Sequence, residues 1–146
     1  MFNSTLFDEN TFYSAFFNDL ETCKKEVIIE CPFITSERTK PLIPLFIRLI
    51  EKGVKIYIMT RDPKEHEETM EYQSEEMIQV FERMGVQVLL CIGSHHRKLA
   101  ILDRKILYEG SLNILSQTKS REIMRRIDNQ KITTETFNFL KLYKFI

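Results

Sequence analysis

His96 and Lys98 stand two residues apart in His96-Arg97-Lys98-Leu99-Ala100-Ile101-Leu102-Asp103, and Glu109-Gly110-Ser111-Leu112-Asn113 comes shortly after. An imidazole can attack phosphorus and carry it covalently. An ammonium, an amide and a hydroxyl can hold the charge that builds on the equatorial oxygens. His96, Lys98, Ser111 and Asn113 are therefore the parts needed to cut a phosphodiester without a metal. The spacing predicts a buried strand over Lys98 to Leu102. On a strand, side chains two residues apart share a face. His96 and Lys98 are thus expected to project side by side.

The pattern H-x-K-x4-D alone has about a one per cent chance of arising in a chain of this length from average composition. The downstream residues add weight: an Asp103-Arg104 turn, the apolar run Ile106-Leu107-Tyr108, Gly110-Ser111-x-Asn113, then Ser120-Arg121-Glu122-Ile123-Met124. This order of pieces resembles the phospholipase D superfamily, the HKD phosphodiesterases. There a motif strand is succeeded by a second strand, a Gly-Ser-x-Asn loop and a downstream acidic residue. The resemblance is specific from about Gly93 to Ile127.

The resemblance implies roles. One nitrogen of His96 attacks phosphorus to give a phosphohistidine. The other must be held by an acceptor that fixes the tautomer, and Glu122 matches the family's acidic residue. Lys98 neutralises a non-bridging oxygen as a point charge, Asn113 donates its amide to the same group, and Ser111 adds a hydroxyl. Gly110 lets the backbone pass close to the phosphate, and Arg97 and Arg121 join it as substrate contacts. Asp103 completes the motif, but its place at a turn beside Arg104 favours tying that turn by hydrogen bonds. His95 is expected to face away from His96.

The elements that must position these groups are read from periodicity. Helices are expected over Thr11 to Lys24, Lys40 to Lys52, Tyr72 to Met84 and Ile132 to Lys144. Strands are expected over Glu26 to Cys31, Val54 to Thr60, Val86 to Cys91, Lys98 to Leu102 and Ile106 to Tyr108. Early prolines suit a helical first turn, and Gly53 and Gly85 suit helix ends. Strands alternating with helices, then a hairpin, give an α/β fold: a mixed, mostly parallel sheet flanked by helices on both faces. The resemblance implies the same sandwich. Residues 1–146 read as a single phospholipase D-like domain, either whole or part of a longer protein. Thr35 to Arg38 come after the first of these strands, at an end where α/β sheets bind ligands. The phenylalanines Phe2, Phe7, Phe12, Phe16 and Phe17 read as core or interface.

The formal net charge is zero, with 21 basic and 21 acidic residues, so no global field draws in nucleic acid. The charge is uneven, however. Asp62 to Glu76 is an acidic block, whereas Arg97, Lys98, Arg104, Lys105, Lys119, Arg121, Arg125 and Arg126 make the motif half basic. Bases around the proposed chemistry favour a polyanionic substrate. Cys23, Cys31 and Cys91 have no metal-ligand spacing and read as free thiols of a cytoplasmic protein. No cofactor and no metal are expected. No secretory signal or membrane span is legible.

The leading reading is thus a metal-independent nuclease, a hydrolase of nucleic-acid phosphodiesters. Small bacterial members with one motif are often nucleases or modules beside helicases or restriction systems. The alternatives are a phospholipase D or cardiolipin hydrolase, and a nucleic-acid-binding module without turnover. Two-step displacement also needs an acid on the far side of the phosphate. In the superfamily both groups are motif histidines, and this chain has one motif. A homodimer with a composite active site is the simplest source of the second.

Overall fold

The computed structural model describes residues 3–146, so Phe2 lies outside the described residues. Its strands are β1 (Asn3–Asp8), β2 (Glu26–Glu30), β3 (Lys55–Arg61), β4 (Gln87–Cys91), β5 (Leu99–Leu102), β6 (Ile106–Gly110) and β7 (Ile123–Asp128). They form one sheet in the order β1-β7-β6-β5-β2-β3-β4. The pairs β2–β3 and β3–β4 are parallel and the other four are antiparallel. Traced across the sheet, these pairings leave five strands running one way and only β5 and β7 the other. The sheet is mixed and covered by helices on both faces, as the alternation of elements predicts.

The helices are α1 (Phe12–Glu21), the short α2 (Ser36–Thr39), α3 (Leu42–Glu51), α4 (Glu68–Met84) and α5 (Gln130–Phe139). Alternation along each strand divides the apolar residues between two cores. Val27, Ile29, Ile56, Ile58, Ala100, Leu102 and Tyr108 meet Phe12 and Phe16 of α1, Phe46 of α3 and Phe81 of α4. The opposite residues Ile28, Tyr57, Met59, Leu99, Ile101, Leu107 and Ile127 meet Phe137 of α5 and Leu142 beyond it. The N-terminal aromatics Phe12 and Phe16 are thus core.

Four elements differ from the periodicity. β1 and β7 carry no clean alternation of apolar and polar residues, because β1 is an edge strand with a mostly exposed surface. β7 places Met124 and Ile127 inward among exposed Ile123 and Arg125. α4 begins at Glu68, one turn before the apolar periodicity does. Its first turn holds Glu68 and Glu71, which suit a helix N-terminus electrostatically but bury nothing. The last helix stops at Phe139, and Lys141 with φ 55° turns the chain into a separate 3-10 turn over Leu142–Lys144.

Candidate active site

β5 and β7 run against the other five strands, so their amino ends lie where the others have their carboxyl ends. His96 to Lys98 precede β5, Ser111 to Asn113 come after β6, and Glu122 precedes β7. All the chemistry-bearing segments therefore collect at one end of the sheet, the end where α/β folds bind ligands. β5 starts at Leu99, so His96 and Lys98 sit in the approach to the strand and not on it. They are nevertheless side by side. Lys98 Nζ lies 2.8 Å from His96 Nδ1 and donates to the His96 carbonyl at 2.9 Å. An ammonium can only donate, so Nδ1 supplies the lone pair and a neutral ring carries its proton on Nε2. An anion that drew Lys98 to itself would release Nδ1 and free the imidazole to change tautomer.

The segment carrying His96 has no regular structure between Ile92 and Lys98. Its first part is held by Glu65, whose carboxylate accepts from Gly93 N at 2.9 Å and Ser94 N at 3.0 Å. These amides and then Arg61, bonded at 3.0 Å, hold the Glu65 carboxyl below the usual range, the amides contributing most. Its second part is held by Glu30, the last residue of β2, which is fully buried. Arg97 Nε and Nη2 both lie 3.0 Å from Glu30 Oε1, and His95 Nε2 lies 3.2 Å from the same oxygen. His95 is raised to about 9, first by Cys91 beside it and then by Glu30. His95 does turn away from His96, into this buried cluster. Sequence reasoning missed Glu30, although a carboxylate ending the run Val27-Ile28-Ile29 was the available signal.

The Gly-Ser-x-Asn loop has a different basis from the one expected. A Cβ on Gly110 would meet Ile123 O at 2.2 Å, so this glycine admits strand β7. Ser111 continues the same pairing: its N donates to Ile123 O at 2.9 Å, and its Oγ accepts from Ile123 N at 3.1 Å. Asn113 has a buried Oδ1 without a partner among the described residues, and Tyr13 Oη donates to the next carbonyl, that of Ile114, at 2.6 Å. Glu122 makes no hydrogen bond to His96. Its Oε1 accepts from Ser120 Oγ at 3.4 Å, and its backbone N donates to Glu9 at 2.8 Å. Arg121 is exposed. Asp103 lies at the opposite end of β5 from Lys98, which removes it from the chemistry. Its carboxylate accepts from the backbone N of Lys24, Lys25 and Glu26 at 2.8 to 2.9 Å and ties the start of β2 to the hairpin turn.

His96, Arg97 and Lys98 border an open groove of ≈ 920 Å³. Leu99, Glu109, Arg125 and Leu6 are register partners across four strands and form one row of its floor. Ile123, Phe139 and Leu140 add apolar walls. Leu6 and Ile123 are each 52% exposed and Phe139 is 84% exposed. Thr35, Glu37 and Arg38 instead border a small cleft with Gln117, Thr118 and Lys119, where Arg38 Nε donates to Gln117 O at 2.8 Å. Among the described residues no three His, Cys, Asp or Glu cluster as metal ligands, and no helix is long and apolar enough to cross a membrane.

Residues 16–141 match the family model described as cardiolipin synthase, PLD-like domain. No curated protein matches the chain by sequence. Among solved structures, NucT from Helicobacter pylori is similar with a TM-score of 0.72 at 16% identity, over 97% of this chain and 94% of that one. A phospholipase D family member, Nuc, from Salmonella typhimurium gives 0.78 at 13% identity, over 97% and 93%. A polyphosphate kinase from Porphyromonas gingivalis gives 0.74 at 12% identity, over 96% of this chain but 26% of that one. At these identities the structures share the fold, and the family model covers the motif, both core faces and α5. The chain belongs to the phospholipase D-like family.

Proposed function

We propose that this chain is a metal-independent phosphodiesterase that hydrolyses nucleic acid through a phosphohistidine on His96. The observation that carries the reading is the contact of Lys98 Nζ with His96 Nδ1 at 2.8 Å, at the ligand-binding end of the sheet. A nucleophile and a cation in contact suit a phosphate, which takes the ammonium onto an oxygen and leaves the imidazole facing phosphorus. The His96 nitrogen bonds phosphorus as one ester P–O bond breaks. A water then attacks phosphorus, the P–N bond breaks, and a phosphomonoester leaves. Lys98, Asn113 and Ser111 bear the oxygens' charge. Glu122 is the proposed acceptor for the second ring nitrogen, exchanging its 3.4 Å bond to Ser120 for His96. Arg121 and Arg97 line the path of the polyanion.

The leaving oxygen needs a proton, and the attacking water must lose one. We assign both tasks to His96 of a second copy, in a homodimer with one composite site. The exposed Leu6, Ile123 and Phe139 support this reading. They border the same groove as His96, so a second copy covering them would bring its own motif to the first. The apolar groove beside His96 also favours a second reading, a lipid phosphodiesterase whose acyl chain lies along Leu6 and Phe139.

Turnover of single- and double-stranded DNA, RNA, phosphatidylcholine and cardiolipin, each with a His96→Ala control, separates the two. The nuclease reading expects cleavage of nucleic acid only, lost in His96→Ala. Cleavage of lipid alone would replace it, and an unaffected His96→Ala protein would end both. Mixed dimers of wild-type and His96→Ala chains are expected to lose most activity, and full activity in them would refute the composite site.

A further inference from the structure

We infer that Glu30 is a positioning residue for His96, which it orients by gripping the residues on either side of it. The inference rests on the reading of His96 as nucleophile. An irregular segment costs roughly 1–2 kcal/mol per residue to fix. A nucleophile must be held to within about 0.5 Å of its productive place. Something has to supply that order between Ile92 and β5, and no backbone ladder does.

The arrangement shows how it is supplied. In an extended chain, neighbouring side chains point to opposite sides. His95 and Arg97 both turn inward to one oxygen of Glu30, at 3.2 Å and 3.0 Å. His96 between them is left pointing outward, where Lys98 meets it. Glu30 is itself set in the core of the sheet. It ends β2 in the middle of the sheet, paired with Met59 of β3 and Leu99 of β5, and it is fully buried. A buried carboxylate carries a desolvation cost that is compensated only by close opposite charge. Arg97 cannot lose its proton, so one of the two inward residues is cationic at every working pH. Arg97 is tied to Glu30 by a hydrogen bond, and His95 is drawn to the same oxygen by charge without one, while Glu30 Oε2 has no partner among the described residues. Glu30 and Leu99 are direct register partners, so the grip is also rigid relative to the strand that Lys98 leads into.

The mechanism separates two kinds of effect. Loss of the carboxylate leaves the sheet and the imidazole in place but lets His96 sample other directions. Glu30→Gln keeps shape and removes charge. The three histidines give three imidazole Hε1 signals in a proton NMR spectrum, assigned by His96→Ala and His66→Asn. In Glu30→Gln the His96 signal is expected to broaden or split, with the His66 signal unchanged. With bis(p-nitrophenyl) phosphate, kcat is expected to fall roughly tenfold to a hundredfold at nearly constant KM, the signature of misplacement and not of lost binding. Glu30→Asp is expected to recover part of it.

If Glu30→Gln does not fold, His95→Gln cuts one arm and leaves the pair with Arg97. It is then expected to show the same changes at smaller amplitude. A sharp, unshifted His96 signal in a folded charge-removed variant would overturn the inference. So would kcat within twofold of wild type. A wild-type protein that cleaves no diester, yet shows the His96 signal respond to Glu30→Gln, would refute the hydrolase reading and leave the grip standing.

Discussion

Gly110→Ala tests how the site loop is seated. A methyl there would lie 2.2 Å from Ile123 O, 2.9 Å from Met124 Cα and 3.0 Å from Met124 Sδ. Two of these three are backbone atoms of a strand that is paired on both sides, by β6 and β1. They cannot swing aside as a side-chain end would, so β6 and β7 must part by about 1 Å to restore ordinary contact. Overpacking of this kind costs about 1–3 kcal/mol. The parting also weakens the two Ser111 bonds to Ile123, at about 1 kcal/mol each. Lower unfolded-chain entropy returns only about 0.5 kcal/mol.

The expected loss is about 2–4 kcal/mol, or about 6–12 °C in Tm for a domain near this size. Urea or thermal unfolding monitored by circular dichroism measures it. Gly53→Ala is the control. Its φ is +88° with nothing within 4 Å, so it should cost only the left-handed backbone penalty of about 1–2 kcal/mol. Gly110 is not in the left-handed region, so collision alone is at work there. A Gly110→Ala midpoint within about 0.5 kcal/mol of wild type would refute the strand-contact account. It would return this glycine to the role of admitting a phosphate.

Asp103→Ala should destabilise the fold by about 2–3 kcal/mol, because three backbone N–H groups lose a charged acceptor. A loss of kcat in Asp103→Ala without any loss of stability in urea would contradict that. His95 predicts a pH dependence. Its pKa is raised to about 9 in the folded chain, so its contribution to stability is complete below the ordinary imidazole value and disappears as pH rises from about 6.5 through 9. Denaturation midpoints compared for wild type and His95→Gln should converge across that interval, and a constant difference between them would contradict it. Binding of single-stranded DNA to the His96→Ala protein should weaken at least ~tenfold between 50 and 200 mM salt if several phosphates meet Lys98, Arg97 and Arg121. A salt-independent affinity, measured by fluorescence anisotropy, would favour an uncharged or apolar ligand.

The contact between His96 and Lys98 was legible because it depends on spacing alone. Its setting differs from the expectation, since the pair lies before β5 and not on it. Alternation holds in any extended chain, so the juxtaposition survives the shift. The helices α1, α3, α4 and α5 and the strands β2 to β6 were legible from their periodic or continuous apolar residues, whereas the four-residue α2 was not. β7 was not, because its partners supply what its own sequence lacks. Arg126 is neutralised by Asp19 of α1 at 2.7 Å, and Arg125 opens onto the groove. A strand with Arg125 and Arg126 at its centre looks polar until those partners are known.

The same limit hides the support of the site. Glu30 and Glu65 are, in the sequence, one acidic residue closing a strand and one inside an acidic block. Their distinction appears only when the fold brings them to residues 93–97, more than two dozen positions away. Spacing reports groups that act from one segment, whereas groups that position a segment from outside carry no spacing signal. Glu65 holds the amides of Gly93 and Ser94, and Glu30 holds His95 and Arg97, so His96 is fixed from both ends by carboxylates it does not touch. Two anions so near a site built to receive a third must be neutralised locally, and Arg61, Arg97 and His95 do that. Lys98 is spent on neither carboxylate. It stands beside the imidazole, with its charge free to meet a phosphate.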